Sequence, residues 1–379
     1  MHEGNIVMGA DAWVFVGSLN TAVPHFAAAN GRGIVTLHLD ERTGRLTKLA
    51  EWTDVVNPTY LALSPARRLL FATSEMFDRP EGRVHAYRVA ARTGQLVPLN
   101  GQDTGGSLTA HCSLDRAAGC VLVSNYTQDD APAGWPGWQM ASFAIGADGS
   151  LHAAASLTRH SGSGPERDRQ RGPHAHCALV SPDNRYVLVA DLGTDSLLTY
   201  GLDAPAGRLT PQALSVLKLA PGAGPRHLVF HPNGTTVYGV NELDATISRL
   251  AYAPLTGALR LRETTRGLPT SDASTPPADI HVDADGRHLY ASFRGAHCIA
   301  TYALDPRTGA IRSTDVRSSE GRTPRSFALS PSGNFMVVAN QDSDSVVSLR
   351  IARDSGVPCE VVDRIETGTP MCVKAWAVD

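Results

Sequence analysis

Six residues in this chain are placed to do chemistry together. His174 and His176 stand in Pro-His-Ala-His, Arg226 in Gly-Pro-Arg-His, Glu242 in Val-Asn-Glu, Arg294 in Ser-Phe-Arg-Gly and Arg325 in Thr-Pro-Arg-Ser. A histidine or glutamate can take a proton from water. Arginines can stabilise a developing oxyanion, or grip a carboxylate or phosphate in bidentate fashion. Several arginines brought to one buried place call for an anionic partner, because like charges are costly to bury without one. The polar residues Asn125, Asp191, Asp279 and Gln341 sit beside these positions and join them as candidate substrate contacts.

The elements that must position these residues repeat along the chain. A short β-branched strand, a Ser-Pro-Asp-Gly-like turn, a second strand, a polar loop, a third strand and a Thr-Gly turn recur at 225–259, 277–311 and 324–357. Aligned on the turn, the start of the first strand falls at Thr59, Ala110, His176, Arg226, Ala278 and Arg325, at intervals of 46 to 66 residues, and a last copy begins at Pro370-Met371. The rest of that copy lies at the other end of the chain, in Trp13–Gly17 and Gly33–Leu39. Seven four-stranded units closed by amino- and carboxy-terminal strands predict an all-β, seven-bladed β-propeller occupying 1–379 as a single domain. The 35 glycines and 24 prolines then mark the turns between strands.

In such a ring the start of each first strand and the end of each second strand meet at one mouth of the central channel. The first column holds His176, Arg226 and Arg325. The second holds Glu75, Tyr126, Leu192, Glu242, Arg294 and Gln341. Two insertions, Gln128–Trp138 and His160–Gly172, lengthen the interval between the second and third units. They read as tolerated loops or as walls of a site. The charge cluster Glu166–Arg171 reads as a solvated loop, with arginines long enough that they could reach the mouth.

Composition excludes other classes. A formal net charge of -3 offers no basic surface for nucleic acid. No apolar run approaches the ~18 residues of a membrane helix, and Met1–Ala10 shows no secretory signal. Six cysteines without a Cys-x-x-Cys pair point to a reducing cytoplasm. Neither Gly-x-Ser-x-Gly nor a phosphate-binding loop is present. His174 and His176 are spaced to share a face of a strand, with Glu242, Asp191 or Asp279 as a third metal ligand, but no metal motif accompanies them, and no cofactor is expected.

The runs RGPHAHCALVSPDNRYVLVADLGTDSLLTY (171–200), GAGPRHLVFHPNGTTVYGVNEL (222–243), PADIHVDADGRHLYASFRGAHCIATY (277–302) and TPRSFALSPSGNFMVVANQDSDSV (323–346) resemble the seven-bladed propeller lactonase family. That family includes bacterial 6-phosphogluconolactonase and fungal carboxymuconate-lactonizing enzyme. The resemblance covers nearly the whole chain. It implies functional roles for His176, Arg226, Glu242 and Arg294, all of which lie in the two columns. The family's usual Gly-Thr-Tyr after the first strand is here Gly17-Ser18-Leu19.

The expected activity is hydrolysis of a sugar lactone, phosphorylated or not. Glu242 or His176 would serve as base, Arg226 and Arg294 at the oxyanion, and Arg325 at a distal anionic group. His174, Asp279, Asn125, Asp191 and Gln341 would make further substrate contacts. Closure of a muconate-type diacid, a metal-dependent lactonase and a protein-binding scaffold are the competing expectations. The expected partner is a small lactone or anionic diacid, and the expected state is a monomer or weak homo-oligomer.

Overall fold

The structure, a computed structural model, describes residues 11–378 except 25, 78, 129–131 and 271. The Met1–Ala10 reading and the centre of the 128–138 insertion therefore lie outside the described residues. Seven antiparallel sheets follow one another along the chain, at 61–103, 109–158, 175–218, 225–266, 277–318 and 324–366, with the seventh made of both chain ends. These are the blades of a β-propeller. In blade 7 the innermost strand, Pro370–Ala377, pairs with Ala12–Ser18, followed outward by Ile34–Leu39 and Leu46–Trp52. Trp13 lies opposite Trp376, with ring centroids 5.7 Å apart.

Each blade shows why its residues form strands. The second strands, such as Tyr186–Asp191 (YVLVAD) and Phe335–Asn340 (FMVVAN), are buried along their whole length, so both faces carry apolar side chains. The outermost strands, such as Leu259–Arg266 (LRLRETTR), are largely solvated and polar. The sequence-level turns are tight. In His231-Pro232-Asn233-Gly234 the Gly234 amide donates to His231 O at 3.0 Å, and Gly234 has φ +70. The Asn233 side-chain oxygen accepts the amides of Thr235 and Thr236. Among the described residues the only helical segments are three single 3₁₀ turns. No helix among them is long and apolar enough to cross a membrane.

One irregularity recurs. In six blades the ladder between the first two strands skips a residue, and the skipped positions include Ala110, His176, Arg226, Ala278, Arg325 and Met371. These are β-bulges at the first-column positions. A bulge re-aims its extra side chain out of the pleat, here toward the channel mouth.

Candidate active site

The channel mouth encloses a cavity of about 450 Å³. Its wall contains five of the ten residues expected from sequence: His176, Arg226, Glu242, Arg294 and Arg325. Glu75 and Tyr126 of the second column line it too, as do Tyr60, His227 and Arg169.

Glu242 is the centre of the arrangement and is only 3% exposed. Its Oε2 accepts from Arg226 Nη1 at 2.8 Å and pairs with Arg294 Nη2 at 3.1 Å. Its Oε1 accepts from Arg169 Nη2 at 2.7 Å. Burial alone would raise its pKa, but Arg294, Arg226 and Arg169 outweigh burial and hold the carboxyl well below the usual carboxylate range. Glu242 is therefore an ionised carboxylate shared by three cations.

Arg226 is clamped from three sides. Its Nε donates to Ala278 O at 2.8 Å, and its Nη1 reaches both Glu242 and His176 Nε2. A guanidinium can only donate, so His176 Nε2 must be an acceptor and its proton sits on Nδ1. Burial, reinforced by Arg226, pushes the His176 pKa well below its ordinary value, in agreement with a neutral ring. The ring of Tyr126 stands edge-on to His176, with centroids 5.6 Å apart.

Arg325 differs from the other arginines. Among the described residues it has no side-chain hydrogen bond or ion pair, and it lines the cavity. Burial, then the neighbouring Arg226 and Arg294, push its pKa down to about 9. The cavity wall thus holds four guanidinium groups, Arg169, Arg226, Arg294 and Arg325, against the carboxylates of Glu242 and Glu75. With its histidines neutral, the site carries a formal surplus of two positive charges.

Below the cavity, Tyr60 and His227 form a partition, since both also line a second cavity of about 620 Å³ on the far side. Lys374 Nζ lies 4.5 Å from the Tyr60 ring centroid and donates to its hydroxyl at 3.2 Å. His227 Nδ1 is 3.0 Å from Asp279 Oδ1.

The remaining sequence candidates, expected as substrate contacts, lie outside the wall of this cavity. Asp279 lies behind His227 and lines the second cavity, where it also accepts from Ser326 Oγ at 2.9 Å. Asn125 ties loops together, donating to Thr104 O and Trp138 O and accepting from Thr109. Asp191 accepts the amides of His174 and Thr194 and pairs with His160. Strand alternation explains both: each precedes the second-column position by one residue and so faces the other way. Gln341 opens a 3₁₀ turn that carries its amide to Asp342.

His174 stacks on Tyr126 at 4.2 Å and gives its Nδ1 to Tyr126 O, outside the cavity. The bulge at His176 sends the two histidines to different neighbours, so they do not form a shared ligand pair. Among the described residues no group of three or more His, Cys, Asp or Glu is placed to hold a metal ion.

Sequence reasoning did not single out Tyr60, His227 or Arg169. Tyr60 and His227 directly follow the first-column positions Thr59 and Arg226, so extending that column by one residue finds both. For Arg169 the one available signal was the charge cluster in the 160–172 insertion.

The chain is similar to known proteins over nearly its full length. Residues 14–375 match the family described as lactonase, 7-bladed beta-propeller. A 6-phosphogluconolactonase of Formosa agariphila is 32% identical over 346 residues, 90% of this chain and 93% of that protein. A 6-phosphogluconolactonase of Bacillus subtilis is 31% identical over 92% of this chain and 96% of its own length. The solved structure of the periplasmic gluconolactonase of Pseudomonas aeruginosa is 29% identical, superposes with a TM-score of 0.85, and is matched over 98% of this chain and all of that one. With its seven blades, its terminal closure and this span of similarity, the chain belongs to the seven-bladed β-propeller lactonase family.

Proposed function

We propose that the chain hydrolyses a sugar lactone bearing an anionic group, of the phosphogluconolactone type, in the cavity centred on Glu242. The observation that carries this reading is the cationic surplus of the cavity, and above all Arg325, which lines the cavity and has no side-chain hydrogen bond or ion pair among the described residues. A phosphoryl oxygen is a fitting partner for it. The names of the Formosa and Bacillus relatives agree with this choice of substrate.

Water adds to the lactone carbonyl carbon while Glu242 takes its proton. Glu242 is preferred to His176 as base because Arg226 occupies the His176 Nε2 lone pair. The carbonyl oxygen becomes a tetrahedral oxyanion that the N–H groups of Arg226 and Arg294 are placed to stabilise. Collapse breaks the ring C–O bond, the leaving oxygen takes the proton from Glu242, and the open hydroxy acid ionises. His176 holds Arg226 in position. The same residues could grip a diacid for ring closure, but no observation favours that direction.

The thiols are what supports a cytoplasmic reading. All six cysteines are free and five are buried, which supports a reducing cytoplasm, and the periplasmic Pseudomonas relative is the counter-example.

The test is acid release by the purified protein, supplied in turn with 6-phosphogluconolactone, gluconolactone and a muconolactone. Acceleration above spontaneous opening, strongest on the phosphorylated lactone, is the expected result. No acceleration on any lactone overturns the reading.

A further inference from the structure

The 160–172 insertion carries two neighbouring residues with opposite surroundings. Gln170 is fully buried: its Nε2 donates to Leu192 O at 2.7 Å and to Asp195 Oδ1 at 2.8 Å, and its Oε1 accepts the Glu166 amide at 3.1 Å. Gly164 packs so closely on it that a Cβ there would come within 2.2 Å of Gln170 Oε1. Asp195 in turn accepts the amides of Gly222 and Gly224, both at 2.8 Å. Gly224 O accepts the amide of Glu242 at 2.7 Å. A circuit of hydrogen bonds therefore runs from the insertion to the backbone of Glu242.

Arg169 closes this circuit with its side chain. Its Nη2 donates to Glu242 Oε1 at 2.7 Å and to the Tyr126 hydroxyl at 3.3 Å. The side chain is 44% exposed, against 5% for Arg226 and 17% for Arg294. Arg226 has further partners in Ala278 O and His176, and Arg294 has one in Pro277 O. Water competes for a half-exposed guanidinium more than for the two more buried ones. Of the three cations on Glu242, Arg169 is the most exposed and the one with no backbone carbonyl partner among the described residues, and its base is pinned within reach of the cavity.

We propose that Arg169 is a specificity-determining residue that leaves Glu242 for the anionic group of the incoming substrate, so that substrate binding itself frees Glu242 to act as base. This rests on the reading of the cavity as a lactone-hydrolysing site. No bond is made or broken in the exchange. Glu242 keeps Arg226 and Arg294 and so stays charge-compensated. It loses one of its three guanidinium partners, and its affinity for a proton rises accordingly. The substrate anion gains Arg169 in addition to Arg325.

The test is a set of pH–rate profiles for wild type, Arg169→Ala and Arg169→Lys, with Arg167→Ala as an exposed control from the same insertion. Substrates are 6-phosphogluconolactone and gluconolactone. In Arg169→Ala the KM for the phosphorylated lactone should rise about tenfold more than that for the unphosphorylated one, and Arg169→Lys should recover part of this difference. With the phosphorylated lactone, the acid limb of kcat in wild type should lie at higher pH than that of kcat/KM, because the former reports the complex and the latter the free enzyme. In Arg169→Ala the two limbs should coincide. An unchanged KM ratio in Arg169→Ala, an equal KM rise in Arg167→Ala, or coincident limbs in wild type would each overturn the proposal while leaving the lactonase reading intact. Absence of turnover by wild type on every lactone would instead remove the lactonase reading beneath it.

Discussion

Glu242→Gln tests the electrostatic centre of the site most directly. The substitution keeps the side-chain volume and removes the one carboxylate that Arg226, Arg294 and Arg169 share at 2.7–3.1 Å. Deleting one partner of a buried ion pair costs about 3–5 kcal/mol, because the remaining charge stays buried and uncompensated. Unfolding entropy of about 2.1 cal/mol/K per residue scales to roughly 0.8 kcal/mol/K for a chain of this length, so Tm should fall by about 4–6 °C. Added inorganic phosphate should raise Tm more in Glu242→Gln than in wild type, since an anion binding the folded state stabilises it by mass action. If Glu242 is also the base, kcat should drop by about 10²- to 10⁴-fold. Thermal unfolding with and without phosphate, beside lactone turnover, reads all three quantities. A Tm within a degree of wild type together with kcat within twofold would refute the reasoning, because a carboxylate holding three guanidinium groups cannot be lost silently.

Two further outcomes follow from the same structure. His227 is fully buried, and burial pushes its pKa down to about 4. A base whose folded pKa is depressed is protonated more readily when unfolded, so stability is lost as pH falls from about 6.5 toward 4. In His227→Gln the slope of unfolding free energy against pH, measured by denaturant titration between pH 6 and 5, should be shallower by up to about 1.4 kcal/mol per pH unit, and an unchanged slope would count against a neutral buried ring. The terminal closure should be equally exposed to perturbation. Trp376 is buried against Trp13 and Phe15, and Trp376→Ala should cost about 3–5 kcal/mol in the same titration; a loss below 1 kcal/mol would mean that blade 7 is not held by this contact.

Much of this architecture is legible along the chain because the turns are chemical punctuation. Pro232-Asn233-Gly234 and its counterparts need a residue that tolerates positive φ and an amide that bonds its own backbone, so they survive as a visible period. The strand that starts at Pro370 finds its partner at Ala12 because only that segment completes the repeat. The column positions His176, Arg226, Glu242, Arg294 and Arg325 could be read by counting from those turns. The placement of Asn125 and Asp191, one step before the second column, and of Gln341 within it could not, because one step along a strand, or one 3₁₀ turn, reverses the direction of a side chain. Asp279 is placed away from that cavity for a related reason: the bulge at Ala278 shifts the register, and the carboxylate passes behind His227.

The sequence by itself determined the seven-fold repeat, the closure by both termini and the kinds of group that gather at one mouth. Periodicity, turn chemistry and residue type are local properties, and each is written in a few consecutive residues. Only the tertiary structure decided which groups meet. The recurrent bulges turn His176, Arg226 and Arg325 into one cavity, and a loop pinned by Gln170 and Asp195 delivers Arg169 to Glu242 across 73 residues of chain. Contacts of that kind depend on how strands are staggered and loops anchored in three dimensions, and no local pattern encodes them.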